Sequence, residues 1–315
     1  MKILITGSSG NLGHFLAENF VSKKIQVVGI DIRRRTDEII SDYFVFYECS
    51  TTDSVNLEKI FFTENPTHII HFACTFNKIR NKKTEYALDV EGSHNVINAS
   101  NITLSVKQII YSSSAIVYGG CRDNLEWIKE SQPLRPGRYS YAINKKINEE
   151  KYLSIKLREN LRVIVLRMCT VIGPHVIKGR FSLMLLTRFS FLPRFCKFYK
   201  LQLLHEEDFL EILGKIIYDD RIKGVYNLSP DSYSCVSDLD HKKKYYLLPP
   251  VLIKAIIWIL WNLRIINIQP NSVDNIIFPV ILDPSKLKSQ YKYKFKYSTA
   301  EAFIDTIRKM DQSCI

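Results

Sequence analysis

The chain has 315 residues, of which 46% are hydrophobic and 24% charged. That composition excludes wholesale disorder and supplies a core large enough to fold without disulfides. The formal net charge of +12 suits an anionic partner; with no zinc-finger spacing and no aromatic RNA-binding motif, nucleic acid is not expected.

In chain order, the apolar run "KILIT" (2–6) predicts a strand and residues 11–23 a helix. Strands are expected at "QVVGID" (26–31) and "YFVFYEC" (43–49), a helix at 53–64, and a strand at "HIIHFAC" (68–74). A long helix over 84–100, a strand at "KQIIYSSS" (107–114), a helix from Tyr141 to Glu159 and a strand at "RVIVLRM" (162–168) follow. Apolar strands separated by helices imply an α/β fold, a doubly wound parallel sheet of the Rossmann type covered on both faces. After Pro174 the pattern loosens and prolines accumulate. The expected division is a nucleotide-binding domain over 1–173, to which 205–229 returns, and a smaller C-terminal substrate-binding region over 174–315.

Two later stretches are strongly apolar. "RFSLMLLTRFSFLPRFCKFYK" (180–200) mixes aromatics with Arg and Lys and holds no acid. A partly buried helix with snorkelling basic side chains is expected, the alternatives being an apolar pocket with cations for an anionic group or a peripheral patch on a membrane surface. "VLIKAIIWILWNLRII" (251–266) is shorter than the ~20 residues of a spanning helix and is interrupted by Lys254 and Arg264, so a buried or groove-lining helix is expected there. No secretory signal is expected, because the chain enters an apolar strand at once. The seven cysteines (49, 74, 121, 169, 196, 235 and 314) are scattered and form no CxxC pair, which points to a reducing, cytoplasmic interior without a zinc site.

The sharpest local signal is "ITGSSGNLG" (5–13), between the first strand and first helix. Gly7 permits a tight turn, Gly10 lets backbone approach a pyrophosphate, and Gly13 lets the helix pack closely on the sheet. Ser9, Asn11 and Leu12 complete a loop whose helix N-terminus offers N–H groups and a positive dipole end to phosphates. Asp31 ends the second strand 24 residues after Gly7, where a carboxylate accepts from ribose hydroxyls and repels a 2′-phosphate; Ile32 follows it. This favours NAD, while Arg33, Arg34 and Arg35 leave NADP open. Phe72, Ala73 and Ser112, at the ends of later strands, belong to the same cofactor cleft.

Tyr141 and Lys145 stand four apart in "YSYAINKKINEE", hence on one helix face. A phenol brought from its reference pKa of about 10 to near 7 needs ~4 kcal/mol, which a neighbouring ammonium supplies. Ser114, in "YSSSAIVYGG" 27 residues earlier, places a hydroxyl to hold a substrate oxygen.

Together these residues resemble an extended short-chain dehydrogenase/reductase of the NAD-dependent epimerase/dehydratase family. "TGSSGNLG" is similar to its TGxxGxxG turn, "HFAC" to its HxAA strand end, "SSSAIVYG" to its SSSxxVYG segment, and Tyr141 with Lys145 to YxxxK. "VLRMCTVIGP" (165–174), "LLHEEDFLEIL" (203–213), "GVYNLSP" (224–230) and 283–303 extend the likeness over nearly the whole chain. The resemblance implies Tyr141 as acid/base, Lys145 as the group that lowers its pKa and holds the nicotinamide ribose, and Ser114 as the orienter of substrate oxygen. It implies a small-molecule substrate, often a nucleotide sugar, and a homodimer paired through 84–100 and 141–159. It makes His205 and Asp208 structural and His71 a packing residue; no metal is expected.

Four positions depart from the family pattern: Cys49 and Asp89 stand where Asp and Asn are usual, Thr170 replaces an Asn, and Ala115–Ile116 replace the Asp-Glu pair of dehydratases. The leading expectation is an NAD-dependent epimerase of a sugar or sugar nucleotide. A dehydrogenase or ketoreductase on an apolar alcohol or ketone is the alternative. A catalytically silent NAD(H)-binding regulator or scaffold is opposed by the joint retention of Ser114, Tyr141 and Lys145.

Overall fold

A computed structural model describes residues 1–75, 79–176, 191–239, 244–266, 269–272 and 277–312. The chain divides into two compact units. One comprises Met1–Ser113, Asn144–Leu166 and Leu213–Tyr226; the other comprises Ser114–Ile143, Arg167–Ile212 and Asn227–Ile315.

The first unit is built on a seven-stranded sheet. Its order is Gly224–Leu228, Arg162–Met168, Gln108–Ser114, His68–His71, Lys2–Thr6, Gln26–Asp31 and Phe44–Glu48. The pairings from Gln108–Ser114 to Phe44–Glu48 are all parallel, and the sheet is of the doubly wound kind. Ile3, Leu4 and Ile5 are wholly buried, as are Ile69, Ile109 and Ile164. Strands apolar on both faces need helices over both, and Asn11–Ser22, Ser54–Glu64, Gly92–Ile102 and Ser140–Ser154 provide them.

Two helices differ from expectation. The long helix begins at Lys82, where the Asn81 side chain accepts from the N–H groups of Lys83 and Thr84. It contains a π-helical turn, Ala87–Glu91, before continuing to Ile102. The helix expected to reach Glu159 stops at Ser154. The cause is Arg158, whose guanidinium donates to the carbonyls of Asn101, Leu104, Thr103 and Val106 and ties the following turn to that loop instead.

Two histidines are buried in the fourth strand. His71 lies between Thr6 Oγ1 (2.6 Å) and Ser93 Oγ (3.0 Å) and stacks near Tyr111 and Tyr152. Burial, aided by the Lys145 charge, pushes its pKa down to about 3. Burial likewise pushes His68 down to about 4. Both are neutral in the folded chain and protonate in the unfolded one, so stability is present above the ordinary value of 6.5 and is lost as pH falls from there toward 4. Each contributes about 1.4 kcal/mol per pH unit across that window. The melting temperature should therefore fall steadily between pH 6.5 and 4.5, less steeply in His68→Gln. A pH-independent melting temperature over that range would refute the assignment.

In the second unit, Tyr118, Arg167 and Asn227 form a buried polar cluster. Arg167 donates to Tyr118 Oη (2.7 Å) and to the Glu130 carbonyl, and Tyr118 donates to Asn227 Oδ1 (2.9 Å). Asn227 in turn donates to the carbonyl of Ile128 (2.7 Å). The stretch expected as a helix over 180–200 lies outside the described residues up to 190. Its remainder holds no α-helix: Phe191–Pro193 is a strand paired in parallel with Lys244–Tyr246, Arg194–Cys196 is a single 3-10 turn, and Lys200–Leu201 is a second strand. The 251–266 stretch does form a helix, Pro250–Asn262, but none of its residues is buried. Cys314 lies outside the described residues.

Candidate active site

In the first unit the glycine turn is shaped by backbone, not side chains. Gly7 has φ +73°, and a Cβ there would meet Ala73 N at 2.7 Å. The Phe72–Ala73 strand end therefore lies against this turn, with Phe72 N donating to the Thr6 carbonyl. A Cβ on Gly13 would fall 2.2 Å from the Gly7 carbonyl oxygen, so that glycine serves the fit of helix to turn and not of helix to sheet. Gly10 is extended at the helix N-terminus, and neither a side-chain cap nor an acid in the first turn occupies that end. The first N–H groups of a helix, here from Asn11 and Leu12 onward, lack intrahelical acceptors and face outward along the axis.

Asp31 braces the same turn. Its Oδ2 accepts from Ser9 N (3.0 Å) and its Oδ1 from Ile32 N (2.8 Å). Ser9 Oγ donates to the Arg33 carbonyl (2.7 Å). Burial raises the Asp31 pKa, opposed by these backbone donors and by Arg33. Ile32 is exposed beside it. Two of the three arginines that left NADP open are committed elsewhere, while Arg33 is exposed beside Asp31. Arg35 forks onto Asp37 (2.7 and 2.6 Å) and donates to the Ser9 carbonyl; Arg34 pairs with Glu38 (2.9 Å) and lies over the Phe46 ring.

Lys145 is buried. Its Nζ donates to the Ser112 carbonyl (2.5 Å) and sits 4.9 Å from the Tyr111 ring centre. Two neighbours, Asn148 and Glu149, escape sequence reasoning, and Asp89 stands out there only as a departure from the family pattern. Glu149 accepts from Ser113 Oγ, Asn148 donates to the Asp89 carbonyl (2.7 Å), and Asp89 accepts from Thr75 N (2.7 Å) and Thr75 Oγ1 (3.0 Å). The acid at 89 thus pins the loop after the fourth strand. In sequence it stands out as an acid where the family usually has Asn. Cys49 is half-buried, its N–H bonded to the Asp31 carbonyl and its thiol pKa raised by burial.

Ser114 and Tyr141 belong to the second unit. Ser114 Oγ accepts from Ile116 N at the start of the short turn Ala115–Tyr118. Tyr141 is buried with Tyr139 and Ala142, and Ile116 packs on that cluster, so the Ser114 turn and the Tyr141 ring are held by shared packing. Tyr141 precedes Lys145 by four residues on the Ser140–Ser154 helix. His205 and Asp208 are structural. His205 is hydrogen-bonded to Asp305 and stacked on Tyr297, and Asp208 accepts from Tyr293 Oη (2.6 Å) and Lys296 N (2.9 Å). Among the described residues no group of three or more His, Cys, Asp or Glu side chains is arranged to hold a metal ion.

A model of the NAD dependent epimerase/dehydratase family matches residues 3–190. The chain belongs to that family. Protein CapI of Staphylococcus aureus is 28% identical over 187 residues, 55% of this chain and 55% of CapI, so the match spans about half of that relative. The Bordetella bronchiseptica enzyme WbmG, solved with NAD, superposes with a TM-score of 0.78 at 23% identity over 99% of this chain and 94% of its own. The UDP-glucose 4-epimerase of Thermotoga maritima, solved with UDP-glucose, superposes with a TM-score of 0.77 at 21% identity over the whole of both chains. These likenesses bear out the fold.

The residues present fit NAD. The helix end without a side-chain cap would suit a pyrophosphate, a carboxylate at Asp31 would disfavour a 2′-phosphate, and Arg34 and Arg35 are paired with acids. A family member built this way should discriminate against NADP through Asp31 and Asp37. Asp31→Ser with Asp37→Ala should shift the NAD-to-NADP ratio of dissociation constants toward NADP by about tenfold or more, read by titrating cofactor-stripped protein. An unchanged ratio would remove Asp31 from the cofactor site.

Proposed function

We propose that the protein is an NAD-dependent epimerase acting on a sugar or sugar nucleotide, with Ser114, Tyr141 and Lys145 as its reacting set. The observation that carries this reading is Tyr141, whose buried ring shares packing with the Ser114 turn and which stands one helical turn from buried Lys145. Bound NAD supplies reversible hydride acceptance from a substrate carbon. Tyr141 takes the proton of the substrate hydroxyl as the carbonyl forms and returns it when the carbonyl is reduced on its other face. Ser114 donates a hydrogen bond to that oxygen in both directions. Lys145, anchored on the Ser112 carbonyl, presents a cation that favours the phenolate. Ala115 and Ile116 offer no acid or base for eliminating water, which separates this reading from a dehydratase. The UDP-glucose held by the Thermotoga maritima relative supports the substrate class.

Purified protein should release about one NAD per chain on denaturation and interconvert epimeric UDP-hexoses with no net NADH. Thr170 favours a second reading, since a family Asn is absent there: reduction of an apolar ketone with exchangeable cofactor. Steady NADH consumption with a carbonyl substrate, and no epimer interconversion, would replace the first reading with the second.

A further inference from the structure

The positive charge of this chain is not spread evenly. Residues 174–205 hold six Lys and Arg and no acid, and residues 241–273 hold five and no acid. Outside those two stretches, 33 basic residues face 32 acids. The net charge of +12 therefore resides almost wholly in two segments, and both are apolar as well as basic. The fold joins them: Phe191–Pro193 of one pairs in parallel with Lys244–Tyr246 of the other.

Four residues beyond that ladder, the helix Pro250–Asn262 begins. A helix this apolar is ordinarily enclosed, yet Val251, Leu252, Ile256, Trp258 and Ile259 are exposed, Val251 at 78% and Trp258 at 60%. Leu263 and Ile265 continue the exposure past its end, beside exposed Arg264. At 13 residues the helix is about 20 Å long, too short for a hydrocarbon core of about 30 Å. No described helix is long and apolar enough to cross a membrane.

We propose that this part of the second unit, the Pro250–Asn262 helix with Lys244 in the strand before it and Arg264 just past its end, docks on the surface of an anionic lipid bilayer. The apolar side chains enter the headgroup–acyl boundary, Trp258 among them, and the flanking cations pair with lipid phosphates. Charge decides against a second copy of the chain as the occupant. A two-fold contact through this helix would bring together copies of residues 244–266, which hold Lys244, Lys254 and Arg264 and no acid, whereas an anionic surface neutralises them.

The test is co-sedimentation of the full chain with vesicles of phosphatidylcholine alone and with about 30% phosphatidylglycerol, read together with tryptophan emission. Two of the three tryptophans, Trp258 and Trp261, lie on this helix, so docking should shift emission to the blue. Binding should require the anionic lipid and weaken at high salt. Lys244→Gln with Arg264→Gln should weaken it about 25-fold, and Ile256→Ser with Trp258→Ser about tenfold or more, with bound NAD and far-ultraviolet dichroism unchanged. No pelleting with anionic vesicles overturns the proposal. So does light scattering that shows a dimer dissolved by Ile256→Ser with Trp258→Ser, and so does pelleting indifferent to both variants.

Discussion

Tyr141→Phe is expected to lower epimerisation by about 10²- to 10⁴-fold while bound NAD and melting temperature stay near those of the parent. The prediction is sharp because the ring is kept. Tyr141 packs with Tyr139, its ring centre 5.8 Å away, and with Ala142 and Ile116, and phenylalanine preserves that shape. Only the oxygen is removed, and with it the group proposed to carry the proton. Lys145→Met should cost a comparable factor, but through two losses. It removes the cation that favours the phenolate and abandons the Ser112 carbonyl to a buried site with one donor fewer. The two variants separate by pH. Tyr141→Phe should remove the fall in rate at low pH, whereas Lys145→Met should displace that acidic limb to higher pH. Rates measured from pH 6 to 10 on both proteins decide the matter, and a Tyr141→Phe enzyme with parental activity would remove Tyr141 from the chemistry.

The strands of this fold were readable residue by residue where local and tertiary demands agree. Lys2–Thr6, Gln26–Asp31 and Arg162–Met168 begin and end where their apolar runs do, because glycine turns or polar residues bound them and both sheet faces are covered. The reading failed where a distant partner overrides a local pattern. Nothing in "YLSIKLRENL" forbids another helical turn, but Arg158 finds a row of loop carbonyls and the chain leaves the helix at Ser154. The same holds for the candidate site. The glycines, Asp31, Tyr141 and Lys145 carry fixed spacings and could be picked out in one dimension. Asp89, Asn148, Glu149 and Arg167 are polar residues made internal by partners 14 to 49 positions away, and no spacing records that. The apolar 251–266 stretch shows the reverse error. Hydrophobicity alone predicts burial, yet none of the residues of the helix it forms is buried.

Gly13→Ala is expected to be the most damaging single-methyl change in the cofactor-binding unit. The added carbon would lie 2.2 Å from the Gly7 carbonyl oxygen and 3.0 Å from the Gly7 carbonyl carbon and Ser8 Cα. All three atoms are backbone, so no side chain can swing aside; either the helix Asn11–Ser22 shifts or the turn opens. The turn cannot open freely. Gly7 N donates to the Ile30 carbonyl (2.8 Å) and Asp31 holds Ser9 N, so its two ends are fixed to the second strand. Overpacking against fixed backbone costs on the order of 3 kcal/mol, or about 5–10 °C in melting temperature. Because the same N–H groups that shift are those offered to the cofactor phosphates, NAD affinity should fall by about 100-fold or more. Gly214→Ala is the control. It lies inside the Glu206–Tyr218 helix with no atom within 4 Å of the added carbon, and alanine there should stabilise by about 0.5–1 kcal/mol. Thermal unfolding and NAD titration of the two variants side by side measure both effects. If Gly13→Ala binds NAD as the parent does, the turn moves more freely than its hydrogen bonds allow, and the phosphate site must be sought elsewhere.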